Sequence, residues 1–129
     1  MDQNISLNPQ FDQIGKQFVQ HYYQTFQSNR PALGGLYGPQ SMLTWEDTQF
    51  QGQANIMNKL NSLNFQRVQF EITRADCQPS PNNGSIVFVT GDVRIDDGQP
   101  LKFSQVFNLI PSGNGGFMIF NDMFRLNLG

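Results

Sequence analysis

The sequence predicts an α+β fold in which a curved antiparallel sheet wraps around a long N-terminal helix, forming a cone with a hydrophobic cavity. Three observations predict it. Apolar side chains recur at Phe11, Ile14, Phe18, Tyr22 and Phe26, steps of three and four that make one stripe on a helix. After about residue 67 the period drops to two, starting with Val68, Phe70 and Ile72. Clusters of Gly, Asn, Asp, Ser and Pro then separate the alternating segments, so that consecutive strands fold back on one another. A chain of 129 residues is expected to form one domain, 1–129, with a real core.

In chain order, Asn8 and Pro9 read as the N-cap and first residue of the long helix. Gly15 interrupts its stripe, which costs helix stability and points to a close approach by another element. "NRPALGGLYG" starts a second, short helix at Pro31 that Gly34 and Gly35 loosen at its end. "SMLTWE" reads as a strand and "TQF" as its short return. "GQANIMNKLNSL" puts Ile56, Leu60 and Leu63 on one helical face. The strand begun at Val68 ends at "PSPNNG", where Asn83-Gly84 signals a tight turn. "SIVFVTGDVRI", rich in β-branched residues, "LKFSQVFNLI" and "FMIFNDMFRLNL" complete the sheet, joined by "DDGQP" and "PSGNGG". No internal repeat, low-complexity tail or linker interrupts the chain.

Composition narrows the function. Hydrophobic residues are 38%, with 12 phenylalanines, and charged residues only 14%, so solubility falls to the many amides. A net charge of −2 with no Lys/Arg cluster gives no general attraction to phosphate backbones, and nucleic acid is not an expected partner. The single cysteine, Cys77, forms no intrachain disulfide and builds neither a Cys-rich zinc site nor an iron–sulfur site. It reads as a lone reduced thiol in a strand rather than a reactive one. "MDQNISLNPQ" lacks the basic and apolar runs of a secretory signal, and no window approaches a membrane span. A soluble, intracellular protein without metal or cofactor is expected.

Candidate chemistry is sparse. His21, the sole histidine, reads as a partly exposed helix residue rather than a general base, since no neighbour supplies an orienting carboxylate. "GGLYG" and "GNGG" lack the spacing of phosphate-binding loops and read as turns. Of Tyr22 and Tyr23, one ring is expected in the core and the other at a rim. The acids say more. Glu46 and Asp47 follow Trp45 directly, and Asp96 and Asp97 occupy the turn "RIDDGQP". An Asp-Asp turn alone needs no function. With an aromatic and a second acidic pair, on a sheet that curves, both pairs border one mouth. A hydrophobic hollow ringed by carboxylates suits a partner that offers an aromatic flanked by Lys or Arg.

"FDQIGKQFVQHYYQTF", "LTWEDTQFQG", "IMNKLNSLNFQRVQFEIT", "DCQPSP" and "NDMFRLNLG" closely resemble the nuclear transport factor 2 family, in register from about Phe11 to Leu128. The resemblance implies a homodimer built through the sheet, binding to the GDP form of the small GTPase Ran, and weak binding to phenylalanine-glycine repeats of nuclear pore proteins. It implies a carrier in cytoplasm and nucleus, concentrated at the pore, with no catalytic activity. For Ran it implies Trp45 and Glu46, with Asp96 at the first rim aspartate position; Gly98 stands at the second, and Asp97 between them is the acid that remains. Leu63 and Phe124 are implied as cavity lining. The family's first-helix tryptophan, part of the repeat-binding site, is Phe11 here, and Met123 falls on a dimer-interface position. The rival reading is a small-molecule isomerase or dehydratase on the same cone fold. It needs polar groups deep in the cavity. The expected lining is Phe, Leu, Met and Trp, and no Asp–Tyr or His–Asp constellation is evident, with Asp122 and Tyr22 as the residues to watch. A third reading, an association module of a larger protein, would need a second domain.

Overall fold

The structure, a computed structural model, describes residues 5–127. The first four residues of the expected leaderless N-terminus, and Leu128 at the end of the resemblance, lie outside them. Helix α1 spans Phe11–Ser28, a 3-10 turn Arg30–Leu36, and helix α2 Gln53–Asn61. The strands are β1 (Tyr37–Trp45), β2 (Thr48–Gln51), β3 (Val68–Ser80), β4 (Gly84–Ile95), β5 (Leu101–Pro111) and β6 (Phe117–Leu126). They form one sheet in the order β2-β1-β6-β5-β4-β3. β1 runs parallel to β6, with Trp45 beside Phe124; the other neighbours are antiparallel. The expected α+β architecture is present, with this one correction: the sheet is mixed.

α1 starts two residues later than expected, with Gln10 rather than Asn8 at its N-cap. The Asn8 side chain accepts the Gln10 N–H at 2.8 Å and its carbonyl accepts from Phe11, so it caps the turn that leads into α1. Gly15 is where α1 meets the sheet: a methyl there would collide with Cys77 Sγ and touch Val87. In the β3–β4 hairpin the left-handed residues are Asn82 and Asn83, both at φ +63°, one position earlier than the sequence signal suggested. β3 carries a bulge between Ile72 and Arg74, opposite Gly91, where a side chain would strike the Glu71 carbonyl. The bulge sharpens the curl of the sheet over α1.

The core lies between α1 and the concave face. Tyr22, Phe103, Phe107, Leu43 and Ile119 are essentially fully buried there. Tyr22 and Tyr23 are both core residues, packed edge to face at 5.1 Å, so neither is at a rim. Among the described residues no helix is long and apolar enough to cross a membrane.

Candidate functional site

An apolar cavity of about 170 Å³ opens beside the ends of β1 and β6. Strand alternation supplies most of its wall: Trp45 from β1, Val68 and Phe70 from β3, Val93 and Ile95 from β4, Phe124 and Leu126 from β6. α1 adds Phe26, and the α2–β3 connection adds Leu63 and Phe65. The wall is pre-stacked. Trp45 lies on Phe124 at 4.1 Å between centroids and 7° between planes, and Phe26 runs nearly parallel to Trp45 at 6.5 Å. Larger hollows exist, such as one of about 410 Å³ lined by Gln27, Glu71, Asp92 and Arg94, which is mainly polar. An apolar cavity on the order of 150 Å³ takes up a single benzene ring. This one is sized for one aromatic side chain.

No carboxylate lines it, but Glu46 and Asp96 directly follow its wall residues Trp45 and Ile95, and Asp96 and Asp97 line a separate polar hollow that shares Phe65 with it. Glu46 occupies the turn after Trp45 at φ +62°, and its Oε1 accepts the N–H of Leu126 at 2.7 Å. Asp96, at φ +55° after β4, accepts the N–H groups of Gln66 and Arg67 on one oxygen, both at 2.9 Å. Asp97 pairs with the Arg67 guanidinium, both side chains well exposed. Asp47 is exposed, and its one side-chain hydrogen bond among the described residues is accepted from Thr48. Each of Glu46, Asp96 and Asp97 therefore spends one oxygen on its own chain. The other makes no hydrogen bond among the described residues.

Deeper in the core is a polar network that the sequence reading did not find. Asp122 is fully buried; Tyr37 Oη donates to its Oδ2 at 2.7 Å and Gln105 Nε2 to its Oδ1 at 2.8 Å. Tyr23 Oη donates to Gln105 at 2.7 Å, and Tyr22 Oη lies 3.4 Å from Tyr37 Oη. Burial raises the Asp122 carboxyl to about 7, against the lowering effect of its two donors. Burial also holds all three tyrosines well above their ordinary value. An Asp–Tyr constellation thus exists where none was evident from sequence, and it includes Asp122 and Tyr22, the two residues left open there. None of its five members lines the cavity. The signal was present in the alternation, which carries Gln105 and Asp122 inward among apolar neighbours.

The remaining residues sit apart. Phe11 begins α1, half-buried, its carbonyl accepting from Ser85 at 3.0 Å. Fifteen residues of helix separate it from Phe26, roughly 22 Å. Met123 points to the opposite face of β6 from Phe124 and is half exposed. His21 is exposed, and Cys77 is half-buried with its thiol pKa raised by burial. No group of three metal-ligating side chains forms among the described residues.

Fold and cavity define an α+β cone protein with a ring-sized apolar cavity. A profile of the nuclear transport factor 2 (NTF2) domain matches residues 14–126, and the chain belongs to this family. It is 54% identical over 120 residues to nuclear transport factor 2 of Oryza sativa subsp. japonica, covering 92% of this chain and 98% of that one. It is 51% identical over 119 residues to the Saccharomyces cerevisiae protein of that name, covering 91% and 94%. A solved structure of nuclear transport factor 2 from Cryptosporidium parvum superposes with a TM-score of 0.94 at 94% identity, over 96% of this chain and all of that one. A putative scytalone dehydratase from Novosphingobium aromaticivorans shares the fold, at TM-score 0.77 and 10% identity.

Proposed function

We propose that this chain is a nuclear import carrier for the GDP-bound form of Ran. An aromatic side chain of Ran enters the cavity against Trp45, Leu63 and Phe124, and basic residues of Ran meet the free oxygens of Glu46, Asp96 and Asp97. The observation that carries this reading is a ring-sized apolar hollow whose wall residues Trp45 and Ile95 are followed directly by Glu46 and Asp96, in a chain whose relatives are named as nuclear transport factors. Burying one ring contributes a few kcal/mol at about 25 cal/mol per Å². Rim charges add selectivity and on-rate more than affinity. That balance suits a carrier that must also release its cargo.

Phe11 belongs to a separate site for phenylalanine-glycine repeats, whose weak contacts gain avidity in a dimer. The dimer forms through the outer face of the sheet. There Phe88, Val106 and Met123 stand side by side on β4, β5 and β6, and Phe88 and Met123 are among the most exposed large apolar side chains. The protein moves between cytoplasm and nucleus, concentrated at the pore, and needs no cofactor.

The alternative is an isomerase or dehydratase that uses Asp122 and Tyr22. Burial argues against it, since both groups lie outside the cavity wall and are closed off from solvent. The test is binding of purified protein to Ran loaded with GDP or GTP. Binding to the GDP form alone is expected, and Glu46→Lys should lose it while remaining a folded dimer that binds repeats. Equal binding to both nucleotide forms, or unchanged binding by Glu46→Lys, would sink the proposal.

A further inference from the structure

Most of the cavity wall stands on hydrogen-bonded strands or on α1, but Leu63 and Phe65 do not. They lie in the connection between α2 and β3, which has no strand partner. Such a segment needs side chains to fix it. At its far end Asp96 does this, binding the N–H groups of Gln66 and Arg67 and donating its own N–H to the Arg67 carbonyl. At the near end the work falls to Arg30, at the start of the 3-10 turn. Its guanidinium donates to the carbonyls of Leu60 at 3.0 Å and Leu63 at 3.1 Å. The same group lies over the Phe65 ring at 4.3 Å and reaches the Phe26 ring at 5.6 Å. One planar cation thus grips the backbone behind one wall residue and the faces of two others. The arrangement is sheltered: Arg30 Nε is buried with no hydrogen-bond partner among the described residues, and burial lowers the guanidinium pKa. A half-buried arginine with a donor left unbonded is not a surface residue placed for solubility.

We propose that Arg30 is the positioning residue of the cavity, holding Leu63 and Phe65 at the separation from Trp45 and Phe124 that admits one aromatic ring. It acts through the wall, so its loss widens or collapses the hollow while the sheet stays intact. The consequence for Ran rests on the carrier reading; the consequence for the wall does not.

Trp45, the sole tryptophan, stacks in that wall and reports on it directly. The experiment uses Arg30→Met, which keeps an apolar stem against Phe65 but donates nothing, and Arg30→Lys, which keeps the charge but not the planar fork. Acrylamide quenching of Trp45 emission is measured with affinity for Ran-GDP, affinity for a phenylalanine-glycine repeat peptide, and dimer state. Arg30→Met should raise the quenching constant about twofold and weaken Ran-GDP binding roughly tenfold, the scale of losing charged hydrogen bonds. Dimer and repeat binding should be unchanged, and Arg30→Lys should fall between. The proposal is overturned if both variants match the parent in quenching and Ran affinity, or if repeat binding falls in step with Ran binding. Should Arg30→Met fail to fold, the same comparison with Arg30→Lys decides. If the parent binds no Ran-GDP yet quenching still rises in the variants, the carrier reading falls and the role of Arg30 in the wall stands.

Discussion

Arg67 and Asp97 form an ion pair beside the proposed rim, and on the carrier reading a basic group arriving from Ran competes with it. Both side chains are well exposed, so the pair is weak by itself. Its weight lies in where it sits: Gly98 stands where the family resemblance implies a second rim aspartate, and Arg67 offsets the neighbouring Asp97. Arg67→Gln should therefore speed Ran-GDP association roughly two- to fivefold at low ionic strength, since an unpaired rim carboxylate steers a cation better. Stopped-flow rates across a salt series check this. The gain should vanish near 1 M salt, where the Debye length is about 3 Å, and in an Asp97→Asn background. A slower rate would mean that Arg67 orients Asp97 for the partner instead. Residue-scale packing is equally specific at Gly15. Gly15→Val should destabilise by a few kcal/mol in urea unfolding, because its side chain must enter space filled by Cys77 and Val87.

At the scale of elements, β4, β5 and β6 carry two different faces. The inward set packs on α1, and the outward set places Phe88 beside Val106 and Val106 beside Met123. If that ladder is the dimer contact, Phe88→Glu buries a charge without a partner. Sedimentation at micromolar concentration should then show a shift from dimer to monomer, with Ran-GDP binding per subunit retained. An unshifted dimer would place the interface elsewhere. Much of this was legible beforehand, because period-two alternation survives in the sequence wherever one face is buried: Leu101, Phe103, Phe107 and Leu109 all point as it says. The cavity was legible through Trp45, Leu63 and Phe124, which the family motifs mark. The parallel pairing of β1 with β6 was not, since two strands some 80 residues apart leave no local signature of who neighbours whom. Arg30 was read only as part of a helix start, because its partners Leu60, Leu63 and Phe65 lie about 30 residues downstream.

The buried network ties the molecule together, joining α1 through Tyr22 and Tyr23 to β1 through Tyr37, β5 through Gln105 and β6 through Asp122. Its donors are ordered toward one acceptor. Tyr37 gives its proton to Asp122, so its own oxygen is left to accept from Tyr22. Protonating Asp122 reverses that chain without breaking it, since the acid can donate to Tyr37 and Tyr37 to Tyr22. Burial raises Asp122 to about 7, while in the unfolded chain an aspartate titrates near 3.9. Between those values the folded protein holds a proton that the unfolded chain has released. Stability from this group is thus full below about pH 4 and declines as pH rises toward 7, at no more than about 1.4 kcal/mol per pH unit. Above pH 7 the contribution is spent and the profile levels. Asp122→Asn fixes the neutral arrangement, with its amide donating to Tyr37 as the protonated acid would. Urea unfolding at fixed protein concentration between pH 5 and 8 should show the parent losing stability with rising pH relative to Asp122→Asn, which should equal or exceed it at pH 8. Parallel profiles for the two proteins, or a variant far less stable at pH 8, would show that the network is held together by the ionised carboxylate after all.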